Sequence, residues 1–311
     1  MNNSRQDNTV LIAGASGFIG SAVSSSLNAE YKILTANRNE FDLEQYGEAY
    51  SMIQTYSPRI LINATGRVAG IQGNLDNPIE LLAVNARIAL NISKAAHELN
   101  IAHVIQFASA CIYPLNEITP SKPTDIGKGA IEESSKSYAI SKLLAIQLFS
   151  TYRKQFGRKW ITVIPSNLYG AGDWNHGSQG HVAAMLMERF SKAAKDSKNE
   201  IEVWGDGQSL RNFLNVQDLS NAVKYIIDNE IWSEEVVNVC GEPEVTIDQL
   251  AKLIAEVTRF KGKILFDKSK PNGARRKMLD DTYLRSHGWS PEIDLASGLA
   301  DYYAKYQINK G

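Results

Sequence analysis

The chain has 311 residues, and its 33 lysines and arginines against 34 aspartates and glutamates give a formal net charge of −1. This balance excludes a general nucleic-acid binder, which needs a basic surface to displace counterions from phosphates. No apolar run reaches the roughly 18 residues of a membrane-spanning helix, and the polar start lacks the apolar core of a secretory signal. Two cysteines are too few for a disulfide framework, so we expect a cytoplasmic globular protein.

The first half of the chain alternates between short apolar runs and longer amphipathic segments. The run over residues 9–13 lacks polar alternation, which predicts a strand buried on both faces, and residues 60–64 predict another buried strand. Further strands are predicted over residues 32–36, 103–108 and 160–164. The segments between them predict helices over residues 17–27, 43–56, 137–153 and from the helix-starting pair Asn77-Pro78. Strand–helix–strand units with short connections imply parallel strands, so we predict a doubly wound, Rossmann-like α/β sheet.

After residue 168 the alternation loosens. Helices are predicted over residues 181–195, from the capping box Thr246-Ile247-Asp248-Gln249, and over residues 299–308. We therefore divide the chain into a domain of residues 1–168 and a smaller domain of residues 169–311 at the carboxyl edge of the sheet, with segments crossing back.

A glycine-rich turn connects the first predicted strand to the first predicted helix. It has the pattern G-x-x-G-x-x-G and consists of Gly14, Ala15, Ser16, Gly17, Phe18, Ile19 and Gly20. The first glycine permits the tight turn, the second lets backbone N–H groups approach a pyrophosphate, and the third allows the helix to pack on the sheet. In this position the turn predicts a dinucleotide-binding site rather than an ordinary strand–helix connection.

Arg38 follows the second predicted strand, where an acidic residue would bind a ribose 2′-hydroxyl. A guanidinium instead suits the 2′-phosphate of NADP, through charge-assisted hydrogen bonds. The alternative is a solvated surface arginine. We predict that residues 1–168 bind NADP(H).

Ser109, Tyr138 and Lys142 form a second pattern. Tyr138 and Lys142 are four residues apart on a predicted helix and share one face, while Ser109 ends a strand at the carboxyl edge of the sheet. A nearby ammonium stabilises a phenolate, so we expect Lys142 to lower the pKa of Tyr138. The Ser109 hydroxyl would hold a substrate carbonyl, and Lys142 would also hold the nicotinamide ribose.

Together these features resemble the extended short-chain dehydrogenase/reductase family and, within it, the enzymes that act on GDP-linked 4-keto-6-deoxy sugars, the GDP-L-fucose synthases. The resemblance runs from about Val10 to Tyr303. Its carrying segments are residues 109–114 (SACIYP), 167–170 (NLYG), 180–182 (GHV), 204–207 (WGDG), 211–214 (RNFL), 270–273 (KPNG) and 276–280 (RKMLD).

The resemblance implies an NADPH-dependent, homodimeric epimerase/reductase without a metal. It implies catalytic roles for Ser109, Cys111, Tyr138, Lys142 and His181. A GDP-linked 4-keto-6-deoxy sugar would be held by Arg189, Trp204, Arg211 and Asp280. Beyond the glycine turn and Arg38, the cofactor would contact Phe107, Ala108, Ser109, Ala110, Lys142, Pro165, Ser166, Asn167, Leu168 and His181.

Cys111 and His181 suit an epimerisation beside a ketone. A C4 ketone acidifies the hydrogens on C3 and C5, and inversion needs a base on one face of the sugar and a proton donor on the other. A thiolate serves as the base and an imidazolium as the acid, although swapped roles remain open. A buried structural cysteine and a helix-capping histidine are the alternatives, and we interpret Cys240 as such a buried cysteine.

Two positions depart from the family pattern. Ser16 stands where an arginine often helps to hold the 2′-phosphate, and Ala110 replaces a second serine. Arg211 is also compatible with a surface ion pair, and Trp204 with either the core or stacking on guanine.

Other functions share this fold, because fold alone does not determine function. The nearest are a GDP-4-keto-sugar C5-epimerase/4-reductase of the GDP-L-colitose type and a C4-reductase of GDP-deoxyheptoses. A non-catalytic cofactor sensor would usually lose Tyr138 or Lys142, and a 4,6-dehydratase would have acidic residues in place of Ala110-Cys111. The predicted helices over residues 78–99 and 137–152 would form the dimer interface.

Overall fold

A computed structural model describes residues 8–115, 120–173, 180–270 and 273–310. Its strands are β1 (Thr9–Ala13), β2 (Lys32–Ala36), β3 (Ile60–Asn63), β4 (His103–Phe107), β5 (Lys159–Pro165), β6 (Asn167–Tyr169), β7 (Glu200–Trp204), β8 (Leu210–Asn215), β9 (Val236–Val239), β10 (Glu244–Thr246), β11 (Lys263–Asp267) and β12 (Arg276–Lys277). Its helices are α1 (Phe18–Leu27), α2 (Tyr46–Tyr56), α3 (Ile71–Asp76), α4 (Pro78–Glu98), α5 (Lys136–Phe156), α6 (Val182–Lys195), α7 (Val216–Asp228), α8 (Ile247–Thr258), α9 (Thr282–Ser286) and α10 (Leu295–Lys310).

The main sheet has six parallel strands in the order β2-β1-β3-β4-β5-β9. In β1, Val10 and Ile12 pack against α1 and α7, whereas Leu11 and Ala13 pack on the other face against α2, α4 and α5. Helices therefore cover both faces, and the predicted doubly wound, Rossmann-like fold is confirmed. The chain runs from β1 outward to β2 and then returns to β3 on the other side of β1, which opens a crevice at the carboxyl ends of β1 and β3.

A second group of elements packs around a separate apolar cluster that includes Tyr169, Phe190 and Leu299. It combines α6, α8 and α10 with the sheet β10-β8-β12, on which β6 pairs with β8, and with the parallel pair β7–β11. β9 lies in the main sheet although it follows residue 168 in the chain. The domain boundary at residue 168 stays a prediction.

Several elements differ from the sequence-based expectations. The helices α3, α7 and α9 were not predicted. Most strands after residue 168 were also missed, because these strands are short and mix polar with apolar residues. Asn77 precedes α4 but forms no side-chain cap, and α2 begins at Tyr46 rather than at residue 43. Arg211 lies within β8. His176 and part of the 270–273 segment fall outside the described residues.

Among the residues that the structure describes, no helix is both long and apolar enough to cross a bilayer.

Candidate active site

The glycine turn leaves the carboxyl end of β1 and leads into α1. Gly14 has φ +83°, and a Cβ there would lie 2.9 Å from the Ala64 carbonyl oxygen at the end of β3. A Cβ on Gly20 would lie 2.1 Å from the Gly14 carbonyl oxygen, so only glycine allows α1 to pack this closely. Gly17 is the N-cap residue of α1 and supplies no capping side chain, which leaves the positive end of the helix dipole accessible to an anion.

A cavity of about 540 Å³ adjoins this turn, and Ala15, Ser16 and Asn37 are among its lining residues. Arg38 follows Asn37 directly and has a side chain that is 68% exposed, with its guanidinium 3.5 Å from Glu44. Glu44 also binds Arg87, which offsets part of its negative charge near Arg38. These residues fit a dinucleotide phosphate chain at the turn and a further phosphate beside Arg38.

Ser109, Cys111, Tyr138 and Lys142 come together at the carboxyl end of β4. Ser109 is the N-cap residue of a short 3₁₀ turn, and its hydroxyl accepts a hydrogen bond from the Cys111 backbone N–H at 3.5 Å. Tyr138 and Lys142 are both buried on one face of α5, as their spacing predicts. The Lys142 ammonium donates to the Phe107 carbonyl oxygen at 3.2 Å and lies 5.7 Å from the centre of the Tyr138 ring.

The titration of this cluster is dominated by burial. Burial raises the pKa of Tyr138, Cys111 adds to the increase, and the Ser109 hydroxyl opposes it. Burial also lowers the pKa of Lys142 to about 8, against an opposing effect of Cys111. The expectation that Lys142 lowers the pKa of Tyr138 is therefore wrong for this structure, because the dry surroundings disfavour the phenolate more strongly. Tyr138 is a protonated phenol here, the form that donates a proton.

Glu132 and Lys277 form an ion pair near Cys111 that sequence reasoning did not identify. Burial raises the pKa of the Cys111 thiol, while the Ser109 hydroxyl and the ammonium groups of Lys277 and Lys142 oppose this increase. Two cations thus favour the thiolate, whereas burial and the Glu132 carboxylate disfavour it. Lys277 belongs to the RKMLD segment. Neither that segment nor the sequence around Glu132 indicates that the two side chains pair, because they are far apart in the chain.

His181 is the N-cap residue of α6 and reaches the site beside the glycine turn, where its ring centre is 6.3 Å from that of Phe18. Its Nδ1 is 2.9 Å from Oδ1 of Asp173, a carboxylate that is completely buried. Burial opposes protonation of His181, but the hydrogen bond and charge of Asp173 outweigh it and raise the pKa of the imidazole. The polar and ring contacts described for His181 join it to Asp173 and Phe18 rather than to the Ser109 cluster.

A second cavity, of about 440 Å³, lies beside the 3₁₀ turn that carries Cys111. Its lining combines the cationic residues Arg275, Arg276 and Lys277 with apolar and small residues such as Ala110, Tyr113 and Leu279. Two of the predicted substrate-binding residues directly follow lining residues: Arg211 follows Leu210, and Asp280 follows Leu279. The Arg211 side chain is nearly buried, and burial lowers the pKa of its guanidinium while Glu132 and Glu244 raise it.

The other two predicted sugar-nucleotide residues lie together at β7. Arg189 donates a hydrogen bond to the Glu202 carbonyl, and Trp204 ends the same strand with half of its surface exposed. Trp204 is therefore not a core residue, which leaves its indole face accessible. The Lys270 ammonium lies 5.7 Å from the centre of the Trp204 ring.

Asn238 at the end of β9 connects the walls of the second cavity. Its Oδ1 accepts a hydrogen bond from the Tyr113 hydroxyl at 2.7 Å, and its Nδ2 donates to the carbonyls of Ser121 and Asp280 at 3.0 and 2.9 Å. Cys240, as predicted, is buried. Asn238 and Asp173 were not predicted as site residues, because neither belongs to a recognisable motif and their partners are set by tertiary structure.

Comparison with known proteins agrees with this arrangement. The model of the NAD dependent epimerase/dehydratase family matches residues 10–240. A putative GDP-L-fucose synthase 2 of Arabidopsis thaliana is 35% identical over 302 residues, which cover 96% of this chain and 92% of the relative. The GDP-L-fucose synthase of Escherichia coli K12 is 33% identical over 311 residues, or 97% of each chain.

Two further proteins are similar to this chain, the first in sequence and the second in fold. A GDP-L-colitose synthase of Yersinia pseudotuberculosis is 31% identical over 293 residues, covering 94% of this chain and 95% of the relative. The crystal structure of a GDP-6-OMe-4-keto-L-xylo-heptose reductase from C. jejuni superimposes with a TM-score of 0.90 over 99% of this chain and all of that one, at 20% identity. The chain therefore belongs to the NAD dependent epimerase/dehydratase family, as a member of its GDP-L-fucose synthase group.

Proposed function

We propose that this enzyme converts GDP-4-keto-6-deoxy-D-mannose to GDP-L-fucose, by epimerising C3 and C5 and then reducing the C4 ketone with NADPH. The observation that carries the proposal is the joint placement of Ser109, Tyr138 and Lys142 with a thiol, Cys111, beside a cavity whose wall includes three cationic residues. A plain ketoreductase needs the first three groups but has no use for the thiol.

For the cofactor, we propose that the glycine turn holds the pyrophosphate and that Arg38 binds the 2′-phosphate of NADP. NADPH, when bound, supplies the hydride. The remaining predicted contacts come from residues at the carboxyl ends of β4 and β5 and at the start of β6, next to the crevice beside β1. Lys142 would hold the nicotinamide ribose. Its ammonium is positioned by a hydrogen bond to the Phe107 carbonyl and has further N–H donors for the ribose hydroxyls.

In the epimerisation, Cys111 removes the proton from C3 or C5 and the electron pair moves onto the C4 oxygen. The hydroxyls of Ser109 and Tyr138 stabilise that oxygen as it becomes negative. His181 returns a proton to the carbon from the opposite face, which inverts it. In the reduction, Tyr138 donates its phenolic proton to the C4 oxygen, and its raised pKa keeps that proton in place at neutral pH.

For the nucleotide, Arg211 and the neighbouring cations of the second cavity suit a diphosphate, and Asp280 suits a hydroxyl donor. Trp204 offers an exposed indole face to guanine. Arg189 of α6 is held beside the same strand by its hydrogen bond to the Glu202 carbonyl. These assignments follow the family resemblance, and the exposure of Trp204 and the burial of Arg211 support them.

A direct test is to incubate the enzyme with GDP-4-keto-6-deoxy-D-mannose and NADPH in D₂O. We expect GDP-L-fucose that carries deuterium at both C3 and C5. A reduced product without deuterium would contradict the epimerase function and leave a plain ketoreductase.

The second candidate is a C5-epimerase/4-reductase acting on a 3,6-dideoxy sugar, which the identity to GDP-L-colitose synthase supports. This enzyme would incorporate deuterium at C5 alone and would prefer a substrate without a C3 hydroxyl. Competition between the two substrates, compared by kcat/KM, separates the candidates.

We also propose a homodimer formed through α4 and α5. These helices pack on each other, and they leave Ile79, Leu90 and Ile140 exposed. Light scattering should give twice the chain mass of 34.4 kDa, and replacing Leu90 and Ile140 by aspartate should give a monomer. A monomeric wild-type enzyme would contradict this part of the proposal.

A further inference from the structure

Asp173 follows β6 and carries a carboxylate that is fully shielded from solvent, while the His181 side chain is 38% exposed. One carboxylate oxygen, Oδ1, is 2.9 Å from Nδ1 of His181. The other, Oδ2, has no hydrogen-bond partner among the described residues. The imidazole is therefore the group that compensates this buried charge.

This arrangement has a physical consequence for the imidazole. An ionised carboxylate taken out of water costs several kcal/mol unless a cation or hydrogen-bond donor faces it. A protonated His181 supplies both, since its Nδ1–H donates and its ring carries a positive charge. The pair thus favours the imidazolium, and it leaves Nε2–H as the proton that can be transferred.

The turn that carries Asp173 is held between two helices. A Cβ on Gly172, whose φ is +102°, would lie 3.3 Å from the Phe18 ring of α1, so the turn packs directly against the start of that helix. On the other side lies Tyr302 of α10. Burial is the main cause of the raised pKa of the Tyr302 hydroxyl, and the nearby charge of Asp173 adds to it. The turn therefore packs against α1, and the carboxylate lies near α10.

We propose that Asp173 is a positioning residue for His181: it accepts the Nδ1–H, fixes the ring orientation and keeps a transferable proton on Nε2. The proposal rests on the function proposed above, in which His181 protonates a sugar carbon. In that step the Nε2–H bond breaks, a C–H bond forms with the electron pair of the enolate, and the neutral ring takes a new proton from water. Among the described residues, Asp173 is the charged group that faces this ring, and Phe18 is its apolar neighbour on α1.

The first measurement needs no turnover. In the NADP-bound enzyme, ring ¹⁵N-labelled histidines are titrated by NMR, and the His181→Gln variant assigns one of the five histidines. We expect the pKa of His181 to lie above the ordinary value of about 6.5 and to fall in Asp173→Asn, which removes the charge that favours the imidazolium. Asp173→Glu, which retains the charge, should keep it above that of Asp173→Asn.

The second measurement is deuterium uptake into the substrate in D₂O. Asp173→Asn should slow uptake by roughly ten- to a hundredfold, less than the loss of the imidazole itself, because general acid–base catalysis contributes about 10²–10⁴. The optimum should move to lower pH in the same variant, an effect that a purely structural role would not produce.

Asp218→Asn is the matched control. Asp218 is also a buried aspartate, and it accepts hydrogen bonds from the backbone N–H groups of Glu292 and Ile293, both at 3.1 Å. We expect it to lower thermal stability without changing the His181 titration or the pH optimum of uptake.

The outcomes separate the two proposals. If Asp173→Asn retains the wild-type His181 pKa and the wild-type uptake rate, the positioning role is overturned while the epimerase function stands. If the wild-type enzyme shows the raised His181 pKa but incorporates no deuterium, the epimerase function is overturned and the pair has only a structural role.

Discussion

The two groups proposed to move protons, Cys111 and His181, have opposite surroundings. Cys111 follows a strand of the main sheet, where burial raises the pKa of the thiol and opposes the reactive thiolate. His181 starts a helix of the second group of elements, where a buried carboxylate raises the pKa of the imidazole and favours its protonated form. In the proposed mechanism, the proton donor is thus favoured in its reactive form, whereas the base relies on the ammonium groups of Lys277 and Lys142 to favour its thiolate.

The largest expected effect comes from removing the thiol. Cys111→Ser should reduce deuterium uptake by about 10²–10⁴, because a serine hydroxyl is a far weaker base than a thiolate. NADPH affinity, measured by fluorescence, should stay within about twofold of wild type. Uptake at the wild-type rate would show that another group is the base and would contradict the assignment of Cys111 and His181 as a base and acid pair.

Loss of the phenol should affect the other half of the reaction. Tyr138→Phe should abolish detectable NADPH oxidation with the keto substrate, since the phenol that protonates the C4 oxygen is gone and a serine hydroxyl is a much weaker acid. Deuterium uptake should persist at a reduced rate, because Ser109 still stabilises the enolate oxygen. A variant that lost uptake completely but oxidised NADPH normally would reverse these assignments.

The dependence of Cys111 on nearby cations can be measured separately. Lys277→Met should raise the pKa of the thiol and slow its alkylation by iodoacetamide at pH 7 by roughly tenfold, since one unit of pKa corresponds to a tenfold change in thiolate. Lys277→Arg should recover most of the rate. Lys305→Met is the control, because Lys305 is also paired with a carboxylate, Asp301, but lies on α10.

The pH dependence should show the same asymmetry. Because the pKa of His181 is raised, its imidazolium persists to higher pH than a free histidine, and proton delivery is lost as pH rises through that value. Since burial lowers the pKa of Lys142 to about 8, its charge is also lost above about pH 8. Uptake also needs the Cys111 thiolate, whose fraction grows with pH because burial raises the pKa of the thiol. Deuterium uptake should therefore rise with pH up to the pKa of His181 and then level off, and the levelling should begin at lower pH in Asp173→Asn.

The smallest expected effect concerns the cavity wall. Asn238→Ala removes the hydrogen bonds that join Tyr113, Ser121 and Asp280 and should cost about 1–3 kcal/mol of stability, because buried polar groups lose their partners. The KM for the sugar nucleotide should rise more than kcat falls. An unchanged KM would show that the wall keeps its shape without this amide.

Sequence reasoning worked best where local pattern and tertiary environment agree. The strands buried on both faces, the glycine turn and the i, i+4 pair on α5 are all properties of neighbouring residues. The sequence did not indicate how dry the pocket is. Burial raises the pKa of Tyr138, whereas we expected Lys142 to lower it. Asp173 and the Glu132–Lys277 pair were missed because their partners are brought together by the fold, and the short strands after residue 168 because they have no long apolar period.

The position of β9 bears on how the chain can be divided. A fragment that stops at Leu168 would retain five parallel strands but would present the bare edge of β5, where Val163 and Pro165 now pair with Val237 and Val239. It would also strip α7 from the outer surface of α1. Unprotected strand edges and uncovered apolar helices recruit other chains, so we expect such a fragment to aggregate on expression and to recover solubility when the complementary piece is co-produced.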